Sequence, residues 1–408
     1  MIASLPHNPR VIAAPGDAAL AAEIERFVGY GPAVGDWFLK LEGVGMAPAG
    51  ELCGQANRHG GGALLHERGD GCADLLLRVP GDGLGVYLGA LKDAQVETGL
   101  MDAIGATAAA WERTAFSLQC GSRRVEVGGR TLLMGIVNVT PDSFSDGGQF
   151  LDAAKAIEHG RRLAAEGADI LDIGGESTRP GAEPADADAE CERVLPVIAA
   201  LAREVGVPIS VDTSKARVAQ RALDAGATIL NDVRALRGDP DMAGVSARSG
   251  APVVLMHMQG TPRTMQRDPH YGDLMGEIVA HLRASMGIAV AAGVREEQIV
   301  VDPGLGFGKA LEHNLESLRR LGELRSLGRP ILIGPSRKSL IAQVLKLPPE
   351  ERILGTAATV AFGIARGAHI VRVHDVAAMR QVARMTDALM GRGGAAAPEA
   401  GAGPEPRR

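Results

Sequence analysis

Aromatic residues and cysteines are scarce in this chain. Phe, Trp and Tyr make up only 3% of the 408 residues, so Val, Ile, Leu, Met and Ala must supply most of the core. The four cysteines stand far apart with no CxxC pair, which fits neither a disulfide framework nor a zinc site. Cys53, Cys72, Cys120 and Cys191 are therefore expected to be reduced thiols.

Long basic runs and long hydrophobic runs are also missing. The formal net charge of -6 is spread along the chain, which lacks the basic patch of a nucleic-acid binder. Pro15 and Asp17 interrupt the apolar stretch near the N-terminus, and no stretch approaches the length of a membrane span. We expect a cytoplasmic protein with small-molecule partners, no nucleic acid and no membrane.

What the sequence does contain is a regular alternation from Leu132 onward. Short runs rich in Val, Ile and Leu alternate with amphipathic helical stretches. The strand-like runs span 132–138, 168–174, 207–213, 227–233, 251–258, 298–304, 330–336 and 369–375. Eight such units predict an α/β fold, a (β/α)8 TIM barrel covering residues 116–390. A Gly-Gly turn in RRVEVGGRTLL (123–133) predicts a hairpin at the N-terminal mouth of the barrel.

The flanking segments are predicted to differ from the barrel. Residues 1–115 suggest a small α/β domain, with helices at 18–29 and 101–113 and strands near 36–42, 73–79 and 84–89. That region shows no catalytic constellation, so we expect a packing or assembly role and measurable activity in the barrel alone. Residues 391–408 are rich in Gly, Ala and Pro and are expected to be disordered.

Polar side chains stand at nearly every predicted strand end, where TIM barrels build their active sites. Each one alone could be a helix cap, and that interpretation suits Asp232 and Asp375 as well as a functional one does. The set is harder to explain as caps, because it includes cations. The end residues are Asn138, Asp172, Asp212, Asn231, Met256 with His257, Asp302, Ser336, Lys338, Ser339, Arg372 and His374.

These residues fall into two chemical groups. A carboxylate can accept two parallel N–H donors of a 2-amino-4-oxo heterocycle, and amide or ammonium groups can bond the neighbouring ring atoms. Asp212, Asn231, Asp302 and Lys338 supply that combination. The second group combines cations, hydroxyls and an amide, which suits a phosphate or pyrophosphate. It consists of Asn138, Ser177, Thr178, Arg179, Arg372 and His374.

Two segments carry a more specific signal. MGIVNVTPDSFSDGG (134–148) and GGESTRPGA (174–182) resemble the signature segments of the dihydropteroate synthase family. They are followed in order by SVDT, ILND, LMHMQG, DPGLGFGK, SRKS and RVHD, so the resemblance covers about residues 115–390. It implies a transferase of folate biosynthesis, a sulfonamide-target family, that joins 6-hydroxymethyl-7,8-dihydropterin pyrophosphate to p-aminobenzoate.

The resemblance also implies roles for individual residues. Asp212, Asp302, Lys338, Arg372 and His374 would be the catalytic residues. The pterin would be held by Asp172, Asp212, Asn231, Met256, Asp302, Phe307 and Lys338. The pyrophosphate would be held by Asn138, Thr178, Arg372 and His374, with Mg²⁺ at Asn138. Asp142, Ser143, Phe144, Ser177, Arg179 and Pro180 would lie in loops over the site, and p-aminobenzoate would contact Phe144, Ser177, Arg179, Pro180, Lys338 and Ser339. A homodimer through outer helices of the barrel is implied as well.

The implied reaction is SN1-like: pyrophosphate leaves the exocyclic CH₂ of the pterin, and the arylamine nitrogen captures the resulting cation. The glycines of GLGFGK would give room for a close-lying pterin. Two alternatives stay open on the sequence. One is a pterin-binding methyltransferase, which would have no use for a pyrophosphate clamp. The other is a non-catalytic paralogue that only binds pterin, which a turnover assay would distinguish.

Overall fold

The structure is a computed structural model. It describes residues 5–12, 37–80, 84–93, 96–139, 149–176, 185–261 and 263–393. The predicted helix at 18–29 lies outside these residues, as does nearly all of the predicted tail.

Eight parallel strands form the main sheet. They run in the order β12-β11-β10-β9-β8-β7-β14-β13, and a parallel bridge between Val301 and Ile331 joins the two ends of that order. The predicted (β/α)8 barrel, preceded by a small α/β region, is therefore confirmed. The strands are β7 (Leu132–Asn138), β8 (Ile170–Gly174), β9 (Ile209–Asp212), β10 (Ile229–Asp232), β11 (Val253–Met256), β12 (Ile299–Asp302), β13 (Leu332–Ile333) and β14 (Ile370–Val373).

Helices cover the outside of this sheet, and the strands are buried on both faces, as parallel strands require. The helices are α4 (Gln149–Glu166), α5 (Ala187–Glu204), α6 (Ala216–Asp224), α7 (Met242–Ser249), α8 (Leu274–Ala291), α9 (Leu311–Arg319), α10 (Ser339–Leu345), α11 (Ile353–Ala365) and α12 (Val376–Leu389). Short 3₁₀ helices lie at Glu296–Gln298, Leu321–Leu327 and Pro349–Glu351. Helix α8 is long and apolar enough to span a membrane, with a mean hydropathy of 1.3, but 56% of it is buried, as in a core helix.

A hairpin precedes the first barrel strand, but its turn is not at Gly128-Gly129. Strands β5 (Phe116–Cys120) and β6 (Arg123–Val127) are joined through Gly121, which has φ +61°. Gly128 follows the hairpin, and a Cβ there would lie 1.9 Å from the carbonyl oxygen of Thr114. Buried hairpin residues such as Leu118 and Val127 share a core cluster with Leu132, at the amino end of β7, so the hairpin covers the N-terminal mouth.

The N-terminal domain has an antiparallel sheet in the order β1-β2-β4-β3, formed by β1 (Arg10–Ile12), β2 (Trp37–Gly45), β3 (Gly62–Glu67) and β4 (Cys72–Val79). Helices α1 (Met46–Arg58), α2 (Leu84–Asp93) and α3 (Thr98–Glu112) accompany it. The prediction of a strand at 84–89 is wrong, because those residues belong to helix α2. The sheet has its own apolar core, separate from that of the barrel, although Ala110 of α3 belongs to the barrel core.

Candidate active site

Arg372 lies at the centre of a largely buried ion cluster at the carboxyl end of the barrel. Its Nε donates to Asp172 Oδ2 at 2.6 Å, and its Nη2 donates to Asp212 Oδ2 at 2.8 Å. Asn231 donates its amide to the same Asp172 oxygen at 3.1 Å. These four residues come from β8, β9, β10 and β14, which are distant in sequence, and the barrel brings them into direct contact. Asp172 Oδ1 is buried and accepts no hydrogen bond from any described residue, so an acceptor remains for a ligand.

The ends of β7, β8 and β9 form a small space between two oxygen-bearing side chains. Asn138, Gly174 and Asp212 are register partners across these strands. A Cβ on Gly174 would lie 3.5 Å from Cβ of Asp212 and 3.9 Å from Oδ1 of Asn138. The glycine therefore leaves room between an amide oxygen and a carboxylate. These oxygen atoms suit Mg²⁺, which prefers oxygen ligands. The ion usually takes several of them from water molecules or substrate phosphates.

Asp302 ends β12, where its side chain is buried. Its Oδ1 accepts the Gly304 amide at 2.7 Å, and no other described residue donates to the carboxylate. The pKa of Asp302 is raised by burial, an effect that the positive charge of Lys338 opposes. One oxygen thus stabilises the following turn while the other can meet a ligand.

Lys338 is the residue directly before helix α10, and its charge acts on the Asp302 carboxylate. Its ammonium donates to the carbonyl oxygen of Leu305 and lies 4.5 Å above the ring of Phe307. Burial lowers the pKa of Lys338 to about 8, and the negative charge of Asp302 limits the decrease. Lys338 therefore remains mostly protonated at neutral pH and can donate hydrogen bonds.

An apolar wall adjoins these polar groups. Met256 is the register partner of Asp302 and belongs to one buried cluster with Val233, Met258 and Met265, against which Phe307 packs. Met256 and Phe307, both implied pterin ligands, thus lie in one apolar cluster, which Met258 and Met265 enlarge.

His374 lies two residues beyond Arg372 and is held by Ser336. Its Nδ1 is 3.0 Å from Ser336 Oγ, which also accepts the His374 backbone amide at 3.2 Å. Burial and the positive charge of Arg372 lower the pKa of His374 to about 4. His374 is therefore neutral at pH 7 in the absence of a ligand. A bound polyanion would raise that pKa.

Two glycines of DPGLGFGK allow a close approach of two loops. Gly304 and Gly308 have φ +69° and +59°, and added Cβ atoms would lie 1.9 Å from the His257 carbonyl oxygen and 2.5 Å from that of Gln259. They allow the loop after β12 to approach the backbone after β11. At Gly306 an added Cβ would lie 3.2 Å from the Lys338 side chain, and room for a close-lying pterin stays a prediction.

Lys309 was missed by the sequence analysis. It is buried, and its ammonium lies 2.8 Å from His257 Nδ1 and 3.2 Å from the carbonyl oxygens of Gly304 and Phe307. Burial lowers its pKa to about 7. A lysine after a Gly-rich run gives no sequence signal for this role, because its partner His257 is 52 positions away.

Glu176 was also missed, although it lies within GGESTRPGA. Its carboxylate accepts the Ala185 amide at 3.0 Å and Lys215 Nζ at 2.7 Å. Lys215 also donates to the buried Glu190 at 2.5 Å. Glu176 and Ala185, which flank 177–184, are therefore joined through the Glu176 side chain.

Several predicted site residues cannot be placed. Asp142, Ser143, Phe144, Ser177, Thr178, Arg179 and Pro180 lie outside the described residues.

Ser339 is the first residue of α10 and is exposed. Asp232 accepts the amides of Arg234 and Leu236 at 2.8 and 2.7 Å, which supports its interpretation as a cap, whereas Asp375 pairs with Arg337 at 2.5 Å.

A (β/α)8 barrel with this cluster of carboxylates, cations and apolar walls defines an enzyme that binds a polar heterocycle. The family model described as pterin binding enzyme matches residues 134–374. The dihydropteroate synthase of a Synechocystis strain is 49% identical over 273 residues, which cover 67% of this chain and 94% of that protein. The chain belongs to the dihydropteroate synthase family, and its activity is that of this transferase family.

Solved structures agree. A Yersinia pestis dihydropteroate synthase with a sulfonamide drug has a TM-score of 0.65 and 42% identity, covering 68% of this chain and all (100%) of that one. The Xanthomonas albilineans enzyme with 4-aminobenzoic acid has a TM-score of 0.64 and 44% identity, covering 68% of this chain and 99% of that one. About a third of the present chain has no counterpart in these proteins.

Proposed function

We propose that this site condenses 6-hydroxymethyl-7,8-dihydropterin pyrophosphate with p-aminobenzoate. The observation that carries the proposal is the pairing of two groups at one barrel mouth. On one side, Asp302, Lys338, Met256 and Phe307 form a half-apolar pocket with a carboxylate. On the other side, Arg372 joins Asp172 and Asp212. A pterin fits the first group, and its leaving pyrophosphate fits the cation and the neighbouring His374.

The residues divide the chemistry between them. Asp302, Asp172 and Asn231 supply acceptors and a donor for the amino, oxo and ring nitrogen groups of the pterin. The carboxylates of Asp302 and Asp212 stabilise positive charge on the ring as the C–O bond to pyrophosphate breaks. The arylamine nitrogen then forms a bond to the exocyclic CH₂ and releases one proton to water. Arg372 and His374 stabilise the departing pyrophosphate. The departure is SN1-like, because the ring can delocalise the charge.

Mg²⁺ fits the space beside Gly174, with Asn138 as its protein ligand. The described residues contain no group of three or more His, Cys, Asp or Glu side chains that could hold a metal, so an ion would take most ligands from pyrophosphate and water. When bound, Mg²⁺ would neutralise charge on the leaving pyrophosphate.

The direct test is turnover by the purified chain with both substrates. We expect dihydropteroate and pyrophosphate in equal amounts and loss of activity on chelation of Mg²⁺. A chain that binds the pterin substrate but forms no product would favour a non-catalytic paralogue. Methyl transfer from a reduced folate would favour the methyltransferase alternative, for which none of the relatives compared above gives support.

Binding of p-aminobenzoate is expected to depend on pyrophosphate. Thr178, the proposed pyrophosphate ligand, lies between Ser177 and Arg179, which are proposed to contact p-aminobenzoate. A polyanion on Thr178 would position its neighbours, and a coupling on the order of tenfold is typical of such linked sites. Calorimetry with and without pyrophosphate and Mg²⁺ measures it. Equal p-aminobenzoate affinities would contradict the assignment.

The proposed homodimer has a candidate surface on α10, α11 and α12. Large apolar side chains are exposed there, including Val344, Leu354 at 78%, Met385 and Leu389 at 74%. Helices α11 and α12 lie against each other on the outside of the barrel. Exposed apolar patches of this kind mark protein interfaces.

Changing Leu354→Glu is expected to convert the dimer to monomer, because it buries a charge in the interface. Light scattering after size-exclusion chromatography measures the mass. Val86→Glu is the matched control, since Val86 is 59% exposed on α2 of the N-terminal domain. A wild-type monomer at micromolar concentration, or a dimer that survives Leu354→Glu, would contradict this surface.

A cytoplasmic location also remains part of the proposal. It is supported by the synthase family to which the chain belongs.

A further inference from the structure

The loop that follows β11 connects the N-terminal domain to the pterin pocket. This connecting loop, described at 259–261 and 263–273, ends at Asp273, the N-cap residue of α8. At that end, Asp273 accepts hydrogen bonds from two residues of the N-terminal domain, Lys40 at 2.5 Å and Arg10. The carboxylate also accepts the Gly276 amide at 3.1 Å. The end of the loop is thus held by the N-terminal domain and by α8 together.

Arg10 is the centre of this joint. Its side chain is fully buried and pairs with Glu42 at 2.5 Å within its own domain and with Glu323 of the barrel at 3.5 Å. The neighbouring Asn8 donates to the Gly276 carbonyl oxygen at 3.0 Å and accepts from Arg283 at 2.6 Å. Ion pairs at low exposure are screened weakly by solvent, so the geometry of Asp273 is closely defined.

The connecting loop also holds the glycine loop of DPGLGFGK. The hydroxyl of Tyr271, two residues before Asp273, donates to the Gly308 carbonyl oxygen at 2.6 Å. Gln266 donates to the Gly306 carbonyl oxygen at 2.8 Å. The Tyr271 ring also lies 6.0 Å from that of His257, the partner of Lys309. The glycine loop carries Phe307 and follows Asp302 directly, so its position sets one wall of the pocket.

A cleft of about 590 Å³ opens between the two domains beside these contacts, lined by Leu64 and Leu76 on one side and by Tyr271, His313 and Arg320 on the other. Beside this cleft, the bonds from Lys40 and Arg10 to Asp273 link the N-terminal domain to the connecting loop, and the Tyr271 hydroxyl links that loop to Gly308.

We propose that the N-terminal domain positions the pterin-binding loop through this link, with Lys40 and Arg10 fixing Asp273 and Tyr271 fixing Gly308. Tyr271 and Lys40 are then positioning residues for the reaction, and the N-terminal domain is part of the working enzyme. The inference rests on the proposed function only for its consequence on pterin binding. The mechanical link itself does not depend on which reaction the protein catalyses.

The first measurement is amide hydrogen exchange across 304–308 in the full chain without ligand. The Gly304 and Gly306 amides are hydrogen-bonded to Asp302 and Asn314, so they report whether the glycine loop is held. We expect Tyr271→Phe, which removes only the hydroxyl, to accelerate exchange there several-fold. Lys40→Met should produce the same change from the other domain. Lys92→Met, an exposed lysine on α2, is the matched control and should change nothing.

The second measurement is the dissociation constant of the pterin pyrophosphate substrate. Loss of one hydrogen bond predicts about two- to tenfold weaker binding in Tyr271→Phe, with the thermal midpoint little changed. Lys40→Met should weaken binding in the same direction. Normal exchange and normal affinity in Lys40→Met would overturn the role of the N-terminal domain. If the wild-type chain does not bind the substrate at all, the proposed function fails while the exchange result still decides the link.

Discussion

Asp302→Asn is expected to weaken pterin binding by a factor of about 5 to 150 and to slow turnover further. The variant amide keeps an oxygen that can accept the Gly304 amide, which Asp302 Oδ1 accepts at 2.7 Å in the wild type. Its NH₂ group then takes the place of the second oxygen and faces the N–H donors of the pterin. A buried donor left without an acceptor costs about 1–3 kcal/mol, which corresponds to that factor. Calorimetry and steady-state kinetics measure the two effects.

Turnover should suffer more than binding, because the change removes a negative charge from beside the developing cation. Loss of that charge also removes the interaction that raises the pKa of Lys338, so its pKa should fall below that of the wild type. Stability should not fall. Burial raises the pKa of Asp302, which means that the ionised carboxylate disfavours the folded state and a neutral amide does not.

The matched control is Asp232→Asn at the end of strand β10, which is separated from β12 by β11. Asp232 is buried, and each of its carboxylate oxygens accepts one backbone amide, from Arg234 or Leu236. The variant loses one of these hydrogen bonds, so its thermal midpoint should fall while pterin affinity stays unchanged. If Asp302→Asn behaves like Asp232→Asn, then Asp302 is a structural cap and the pterin pocket has been assigned to the wrong carboxylate.

The barrel could be predicted from the sequence because its signals are local and repeated. Strands buried on both faces are continuous runs of Val, Ile and Leu, and each is followed by a helical pattern. Parallel topology then places every strand end at one mouth, so Asp172, Asp212, Asn231 and Arg372 could be grouped before their contacts were known. Their pairing could not be predicted. Arg372 contacts two carboxylates directly, whereas its residue type alone suggested a pyrophosphate ligand.

The N-terminal domain was predicted less well, because its patterns are short. The segment 84–89, LGVYLG, contains β-prone residues, yet Tyr87 is buried in α2 and its hydroxyl donates to the carbonyl oxygen of Leu52 in α1. Tertiary packing decided this element against local propensity. Similarly, a Gly-Gly pair suggested the hairpin turn, whereas the turn is at Gly121 and Gly128 serves a close approach to Thr114.

The positioning residues had no local signal at all. Tyr271 and Gly308 are 37 positions apart, and Lys40 and Asp273 are 233 positions apart. A single tyrosine in a polar loop has the same local appearance whether it faces solvent or holds a neighbouring loop. Such roles depend on long-range contacts, which motif order does not encode.

Arg372→Met is expected to cause the largest loss of stability as well as loss of turnover. The guanidinium neutralises Asp172 and Asp212 at 2.6 and 2.8 Å, and breaking a buried ion pair by removing one partner costs about 3–5 kcal/mol. Arg161→Met is the matched control. Arg161 donates to both oxygens of the Glu204 carboxylate at 2.7 and 2.9 Å, but both side chains are exposed, so solvent screens the pair and its loss should change the thermal midpoint little.

The stability loss should depend on pH in a definite direction. Burial already raises the pKa of Asp212 above its usual value of 3.8, and Arg372 opposes the rise, so the pKa must be higher still in Arg372→Met. A group with a raised pKa in the folded state stabilises that state at low pH and loses this contribution as pH increases through the folded pKa. The variant should therefore approach wild-type stability near pH 4 and fall furthest behind it above pH 7. Thermal midpoints of both proteins across this range measure the difference. A deficit independent of pH would mean that Arg372 acts through packing and that its charge does not neutralise the two carboxylates.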